Sequence, residues 1–475
     1  YYGVGRAVAV IGSDVPVDFA KRHITFEGVE FDEAYQRLIG GTKTAAAPTR
    51  SSSAAQEELA RAREYCEQGD ARCVPILERL AEDGNTEAMS VLAFYWYDNK
   101  NKGNDKNKAV FWAEKAASQG DSFAMLMMGH HCRGAGRLDE ARSYYKKTVE
   151  CGDADEQGDA LNSLGEMYLS GQFGDGQQRR AIEYFMQSSE CGSADGTLNL
   201  ARCFDQGGVT EDLGKAFTYY LKTVELADDE IDTDTAGEAL NRLGVIYSQG
   251  ALGKADVAMA ARYYEQAAVM GDAWGVYNLA NAYENGEGVP KDEKKAVDYY
   301  RQAAEAGLAE GMKGLADCYA FATGVMKDND KAYKLYLQAA EAGIPYAMLR
   351  TGDLLADSER YDEAHEWYVK TTKTDDKAMK GWAFDRLGNL YLNNNFGENR
   401  EPTAVNYFRK SAAEKCTGGM NMLAYCYRYG IGTKENRDRA KAYLREAASL
   451  GDEESRTELK EMEEEDKKGI WGLFS

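Results

Sequence analysis

Residues 299–307 read YYRQAAEAG. Thirty-six residues earlier, at 263–271, the chain reads YYEQAAVMG, and thirty-six later, at 335–343, it reads LYLQAAEAG. A phrase that returns at constant spacing marks one supersecondary unit used repeatedly, and it settles the architecture before any other feature is read.

Two columns extend outward from this phrase. The first is Ala109, Ala141, Ala181, Ala216, Ala260, Ala296, Ala332, Ala364, Ala404 and Ala440. Three places after each stands a bulky residue: Trp112, Tyr144, Tyr184, Tyr219, Tyr263, Tyr299, Leu335, Trp367, Tyr407 and Tyr443. That offset keeps both on one face of a helix, here called helix B. The second column marks helix A. It runs Leu92-Ala93, Met128-Gly129, Leu164-Gly165, Leu200-Ala201, Leu243-Gly244, Leu279-Ala280, Leu315-Ala316, Thr351-Gly352, Leu387-Gly388 and Leu423-Ala424. Its step is 36 residues everywhere except once, where it is 43. The small second residue predicts close approach of another helix, a use that outweighs the roughly 1 kcal/mol that glycine costs a helix. Three residues further on an aromatic recurs, as in Tyr168, Phe204, Tyr247, Tyr283, Tyr319, Tyr391 and Tyr427, and fills the space between helices.

The deviations are informative. From the helix A hydrophobe to the helix B alanine is 16 or 17 residues in eight repeats but 13 in two, through HCRGAGRLDEA and DLLADSERYDEA. In both, the next connection is longer by four, at CGDADEQGDA and TKTDDKAMKGWA. A lost turn of loop is thus matched by a gained turn of helix, so stacking pitch is what the sequence preserves. The 43-residue step contains LADDEIDTDTAGEAL, residues 226–240, read as an acidic loop. It suits a cation or a basic segment in charge but lacks the spacing and central glycine of a calcium loop.

The repeat LANAYENGEGVPKDEKKAVDYYRQAAEAG, residues 279–307, resembles the Sel1-like repeat, a relative of the tetratricopeptide repeat with a longer A-to-B loop. Leu279-Ala280, the aromatic, Gly286-x-Gly288-Val289-x-Lys291-Asp292, Lys295-Ala296, Tyr299-Tyr300 and Ala303-Ala304-x-x-Gly307 stand in family order, over residues 72 to 452. The two short loops, the acidic insertion and Thr351 in place of leucine depart from it. The resemblance implies an all-α fold, a right-handed superhelical α/α solenoid of Sel1-like repeats with helix A on the concave side. It also implies a scaffold or adaptor for protein complexes; the recurrent columns themselves are structural. Expected divisions are an N-terminal extension at 1–50, capping helices and a partial repeat at 51–84 (ILERLAEDG at 76–84), ten repeats at 85–452, and a charged C-terminal helix with an apolar tail at 453–475.

Composition bounds the function. With 475 residues the chain exceeds one ordinary core. Seventy-nine acidic against 57 basic residues give a net charge of −22, which opposes affinity for nucleic acid or an anionic membrane and favours protein partners with basic segments. No stretch of apolar residues is long enough for a transmembrane segment. Nine cysteines lack any CxxC pair. Cys66/Cys73, Cys191/Cys203 and Cys416/Cys426 flank helix turns and are open to two readings, disulfides or small buried residues. The sequence begins at Tyr1, which a removed targeting segment and a chosen boundary explain equally; organelle, periplasmic and secretory locations all stay open.

The ends differ from the ladder. VGRAVAVIG (4–12) and HITFEGVEF (23–31) read as short strands, FDEAYQRLI (31–39) as a helix and TKTAAAPTRSSSAAQ (42–56) as a linker. Residues 452–475 read as a charged helix ending in Ile470, Trp471, Leu473 and Phe474, either a docking peptide or weak membrane contact, which the nearby EEED opposes for an anionic bilayer, or a helix packed against the last repeat. No catalytic, cofactor-binding or metal residue is assigned. His130, His131 and Cys132 are sequential on a helix and point apart, and no nucleophile elbow or phosphate loop is present. Recognition therefore falls to variable helix A positions such as Glu166, Arg202, Asn281, Asp317 and Asn389. The expectation is a non-catalytic protein–protein interaction scaffold or adaptor, including a structural subunit of a complex. The alternatives are a peptide- or carbohydrate-binding module, which an exposed aromatic row on helix A would favour, and an enzyme with a cleft between repeats.

Overall fold

The computed structural model describes residues 8–11, 15–18, 53–68, 70–97, 105–174, 176–206, 211–227, 232–393 and 396–472, with side chains to residue 466. Apart from one hairpin the described chain is helical. Two compact units are present, residues 1–275 and 276–475. The first holds the hairpin Val8–Ile11 and Val15–Asp18, antiparallel with Val8 opposite Asp18. The expected strand at 23–31 and helix at 31–39 lie outside the described residues, and the strand partner is 15–18 instead.

Helix pairs follow in sequence order, each pair antiparallel neighbours. After Ser53–Glu67 and Cys73–Glu82 come Thr86–Tyr97 with Lys106–Ser118, Ser122–Gly134 with Leu138–Cys151, Ala154–Leu169 with Gln178–Glu190, Ala194–Gln206 with Leu213–Leu226, and Thr233–Gln249 with Val257–Val269. The second unit takes in most of Ala273–Asn285, then Glu293–Glu305, Ala309–Phe321 with Asn329–Glu341, Pro345–Asp357 with Tyr361–Thr371, Lys377–Asn393 with Arg400–Ala413, and Thr417–Tyr429 with Arg437–Ser449.

The opening phrase explains the packing. Tyr300 is 2 % exposed, and its hydroxyl donates to Asn281 Oδ1 at 2.6 Å and Glu284 Oε2 at 2.5 Å on its own helix A. Its ring lies against Gly314 of the next helix A, where a Cβ would come within 2.6 Å. Ala303, fully buried, meets Gly311 in the same manner. The helix then stops at Gly307, whose φ of +85° suits a residue without Cβ; Gly307 N–H donates to Ala304 O and Leu308 N–H to Ala303 O, both at 3.0 Å. Tyr300 and Ala303 of the phrase therefore serve the joint between one pair and the next, and Gly307 ends the helix.

The columns are refined in one respect. The bulky residue three places after the helix B alanine is in most repeats half-buried, whereas the one four places after is fully enclosed: Tyr145, Phe185, Tyr220, Tyr300, Tyr336, Tyr368 and Phe408 are among the largest fully buried side chains. The glycine of the helix A column accommodates that ring rather than a backbone. A Cβ on Gly129 would stand 2.6 Å from Tyr145, and one on Gly352 2.5 Å from Tyr368. This first ring, half-buried in all of these but Tyr263, stacks on the helix A aromatic instead, as Tyr168 on Tyr184, Phe204 on Tyr219 and Tyr247 on Tyr263 in the first unit, and Tyr283 on Tyr299 at 5.6 Å and 12° in the second.

Loop chemistry follows the Gly-x-Gly-Val-x-Lys-Asp pattern. Asp292 caps helix Glu293–Glu305 by accepting from Lys294 N and Lys295 N at 3.1 Å, while its own N–H donates to Tyr283 O at 2.9 Å. Asp256 and Asp212 do the same in the first unit, donating to Tyr247 O and Phe204 O. The exchange of loop for helix holds: after each short loop the next helix A is 16 or 17 residues, Ala154–Leu169 and Lys377–Asn393, against the usual 13. The acidic segment 226–240 behaves likewise. It is not a loop throughout, because Thr233–Gln249 takes in its second half and buries Ala236, Ala239 and Leu240; residues 228–231 lie outside the description.

No disulfide joins any of the nine cysteines. Cys66, Cys73, Cys203, Cys416 and Cys426 are buried and pack as small apolar residues, so the buried-residue reading of those pairs is the one the structure shows. The final helix, Glu453–Gly472, follows the last pair as an additional helix A. It buries Ser455 and Met462 and pairs Glu458 with Arg428 and Glu463 with Arg445. It is a cap over the last repeat, and its polar outer face is what a terminal repeat requires.

Candidate functional site

The five helix A positions singled out in the sequence share one register: each directly follows the Gly or Ala of the helix A column. The Cβ spacing of a helix carries that position past the buried ring and onto the face that no helix B covers. Asn281 and Asp317 accept the hydroxyls of Tyr300 and Tyr336. Glu166 takes Arg133 Nη1 at 2.7 Å from the preceding helix A, and Arg202 grips Glu238 of the following one with two nitrogens. Asn389 donates to Asp385 Oδ2 at 3.1 Å. Each is therefore held by a second side chain. Glu166 and Arg202 tie neighbouring helices A together, Asn281 and Asp317 hold helix B tyrosines, and Asn389 bonds within its own helix, roles the sequence did not disclose.

In the second unit this face deepens into a cavity of about 330 Å³ between Pro345–Asp357 and Lys377–Asn393, lined by Arg350, Asp353, Asp357, Tyr368, Arg386 and Asn389. Asp353 sits at its centre. It accepts Tyr368 Oη at 3.0 Å and Arg386 Nε at 3.1 Å on one oxygen and Arg350 Nη1 at 2.9 Å on the other. Behind it, Asp385 is 3 % exposed and accepts Arg386 Nη1 and Asn389 Nδ2, while its Oδ1 has no hydrogen-bond partner among the described residues. Burial pushes the Asp385 carboxyl up to about 6 against the opposing pull of Arg386. The location in a short-loop repeat was not legible, because Arg350, Asp353 and Arg386 belong to no recurrent motif.

Exposed aromatic side chains flank the cavity on the same helices A and their neighbours: Phe321, Trp382, Tyr425 and Tyr429. Guanidinium groups lie over three of them, Arg350 over Phe321 at 5.2 Å, Arg386 over Trp382 at 5.6 Å and Arg428 over Tyr429 at 5.4 Å.

His130 Nδ1 is bonded to Tyr145 Oη at 3.0 Å, and Cys132 is buried beneath it in the chain, so the His130-His131-Cys132 run does not converge. No group of three or more metal-ligating side chains is found among the described residues. Burial pushes the thiols of Cys203 and Cys426 up to about 11 and that of Cys318 up to about 12, leaving them protonated and unreactive at neutral pH. No described helix is long and apolar enough to cross a membrane.

Antiparallel helix pairs in constant register, bonded by buried rings, define an α/α repeat protein. Comparison with known proteins narrows the class. The Sel1 repeat family model matches residues 86–121, 158–193, 194–228, 237–272, 275–308, 309–344 and 418–452, about half of the chain, and the chain belongs to that family. The stretches 122–157 and 345–417 that it passes over contain both short-loop repeats. Among curated relatives, cytochrome c oxidase assembly factor 7 of Xenopus tropicalis is 29% identical over 174 residues, 34% of this chain and 73% of that protein. The Sel1-repeat-containing protein YjcO of Escherichia coli is 26% identical over 176 residues, 36% of this chain and 72% of its own length. Among solved structures, a protective antigen of uropathogenic Escherichia coli with an SLR fold aligns over 81% of both chains at 25% identity, with a TM-score of 0.63.

Proposed function

We propose that this protein is a non-catalytic adaptor that gathers protein partners on the uncovered face of its helices A. Sel1 repeats are protein-interaction modules, and the buried columns here are fully occupied in joining neighbours. The observation that carries the reading is the helix A face itself. Its charges are paired in advance, as in Arg350–Asp353–Arg386, and it carries exposed Phe321, Trp382, Tyr425 and Tyr429. Preordered polar groups beside exposed aromatics are what a reversible binding surface needs. A permanently buried subunit would instead show a broad apolar patch. The assembly-factor name of one relative supports a role in building a complex. The ten repeats at 85–452 form the binding body and the helix at 453–475 its cap.

Affinity purification from the native source, with Trp382→Ala and Tyr425→Ala as paired controls, tests the reading. Partners retained by the folded wild-type chain and reduced in the double variant support it. Partners held equally by both, or turnover of a small molecule by the pure protein, would overturn it.

A second reading follows from the same aromatics, which also suit a peptide- or carbohydrate-binding module.

A further inference from the structure

The cavity in the second unit has a charge balance that restricts what enters it. Its lining carries two guanidinium groups, Arg350 and Arg386, and two carboxylates, Asp353 and Asp357. Asp353 is saturated by three donors, and Arg386 is divided between Asp353 and Asp385. Two groups remain open. Arg350 has no second carboxylate among the described residues, and exposed Asp357 has no cation. A free anion would meet Asp357, and a free cation would meet the arginines. A neutral group that offers an acceptor at one end and a donor at the other meets neither, and the peptide unit is such a group.

Spacing agrees. Arg350 and Asp357 are seven residues apart on one helix, about 10 Å along its axis at 1.5 Å per residue. An extended chain rises about 3.4 Å per residue, so about three residues span the two groups. Across the cleft, Asp385 orients Arg386 and Asn389 before any ligand arrives; Asn389 Nδ2 donates to Asp385 and its Oδ1 accepts from Asn393 at 3.4 Å, which leaves its second N–H to offer a carbonyl. The volume of about 330 Å³ lies at the lower end of ordinary ligand sites, about 300–1,000 Å³.

We propose that the cleft between Pro345–Asp357 and Lys377–Asn393 binds an extended peptide by its main chain, Arg350 donating to a carbonyl and Asp357 accepting an amide N–H. This rests on the interaction reading above and names the form in which a partner is engaged. Recognition through the main chain makes the site tolerant of sequence, with Trp382 and Phe321 placed to take apolar side chains at either end.

The test uses the full chain and a library of short peptides of randomised sequence, N-acetylated and C-amidated so that no terminal charge contributes, read by fluorescence polarisation. The tightest peptide is expected to lose about tenfold in affinity with Asp357→Asn and with Arg350→Gln, since a hydrogen bond to a charged group is worth about 1.5–3 kcal/mol. N-methylation of its central amides abolishes binding. Asp357 is exposed, so Asp357→Asn keeps the fold; hydrogen exchange of the repeat confirms it. The proposal is overturned if no peptide binds, if both variants bind like wild type, if N-methylation is tolerated throughout, or if a glycan array binds this cleft in place of peptides. Partner capture by the same variants separates the two readings. Partners captured without any peptide binding sink the cleft alone, whereas peptide binding without any captured partner sinks the adaptor and leaves the cleft.

Discussion

The repeat at 122–151 and the repeat at 345–371 differ from their long-loop counterparts in more than loop length. A long-loop repeat such as 273–305 closes helix A onto helix B with three linked devices: an aspartate cap at Asp292, the bond from Asp292 N–H to Tyr283 O, and the stack of Tyr283 on Tyr299. The short-loop repeats keep only the backbone bond, from Arg137 N–H to Cys132 O at 2.8 Å and from Arg360 N–H to Leu355 O at 2.9 Å. Arg137 and Arg360 stand at the cap without a side-chain cap bond, and Cys132 and Leu355 occupy the aromatic position. Both kinds also retain the buried ring on helix B beneath a small helix A residue, Tyr145 on Gly129 and Tyr368 on Gly352. The lesson is a division of labour: the enclosed ring holds the pair, and the loop only trims it. Freed of the loop, the neighbourhood of Pro345–Asp357 carries the cleft.

The sharpest way to break this comparison is to remove the shared element. Tyr368→Ala and Tyr336→Ala are expected to cost about 3–5 kcal/mol each, as large aromatic deletions do, and to cost it equally in the two kinds of repeat. Because stacked repeats open locally, hydrogen exchange of the affected pair is the measurement. A short-loop repeat that lost far less would show that something other than its ring holds it.

A smaller effect tests the column. Gly352→Ala pushes a Cβ into the Tyr368 ring and is expected to cost about 1–3 kcal/mol. Ala316→Gly, in a long-loop repeat where alanine already coexists with Tyr336, introduces no clash and is expected to cost about 1 kcal/mol through helix propensity plus about 0.8 kcal/mol for the buried methyl it removes. Thermal melts of the two variants should differ accordingly.

The pH dependence separates the cleft from the caps, with opposite signs. Asp385 has a folded pKa of about 6, above the unfolded value near 3.8, so the folded state holds its proton longer. Stability from this group is full below about pH 4 and falls as pH rises toward 6, by up to about 3 kcal/mol. Asp328, capping a long-loop helix, is held below the ordinary carboxylate range, first by the Lys331 backbone N–H; its contribution is present above about pH 4 and lost as pH falls further. Denaturation of Asp385→Asn across pH 4–6 should lack the downward slope of the wild type. An unchanged slope would place the buried charge elsewhere.

The smallest contrast lies in the caps. Asp292→Ala is expected to cost about 1 kcal/mol, and Arg360→Ala less, because Arg360 makes no side-chain cap bond and loses only exposed contacts with Glu363 and the Tyr333 ring. Equal costs would mean that the short loop hides a cap of another kind.

Much of this fold was legible because a repeat multiplies weak signals. One Leu-Gly pair says little, whereas ten in register fix helix A, and the compensation between HCRGAGRLDEA and CGDADEQGDA foretold a longer Ala154–Leu169. The errors lie where chemistry leaves no period. Offsets of three and four share a helix face, so the pattern alone did not distinguish half-buried Tyr299 from enclosed Tyr300. The acidic run at 226–240 read as loop because its charges hid Ala236, Ala239 and Leu240 on the inner face of a helix. Of the candidate positions, Asn389 and its equivalents share one register on helix A, as their sequence spacing required. Arg350, Asp353 and Asp385 escaped it, since their meeting depends on which helices are neighbours in space.

The cap helix Glu453–Gly472 is joined to its neighbours by Arg428, Arg437, Lys441 and Arg445 against Glu458, Glu463, Glu465 and Asp466, with Met462 as the one fully enclosed large side chain among its described residues. Such a joint weakens with ionic strength, whose screening length shortens from about 10 Å at 0.1 M to about 3 Å at 1 M, while the ring-filled joints further in do not. The protein thus has one end whose grip is set by the salt around it, and concentrated brine should fray that terminus first while the interior repeats stay closed.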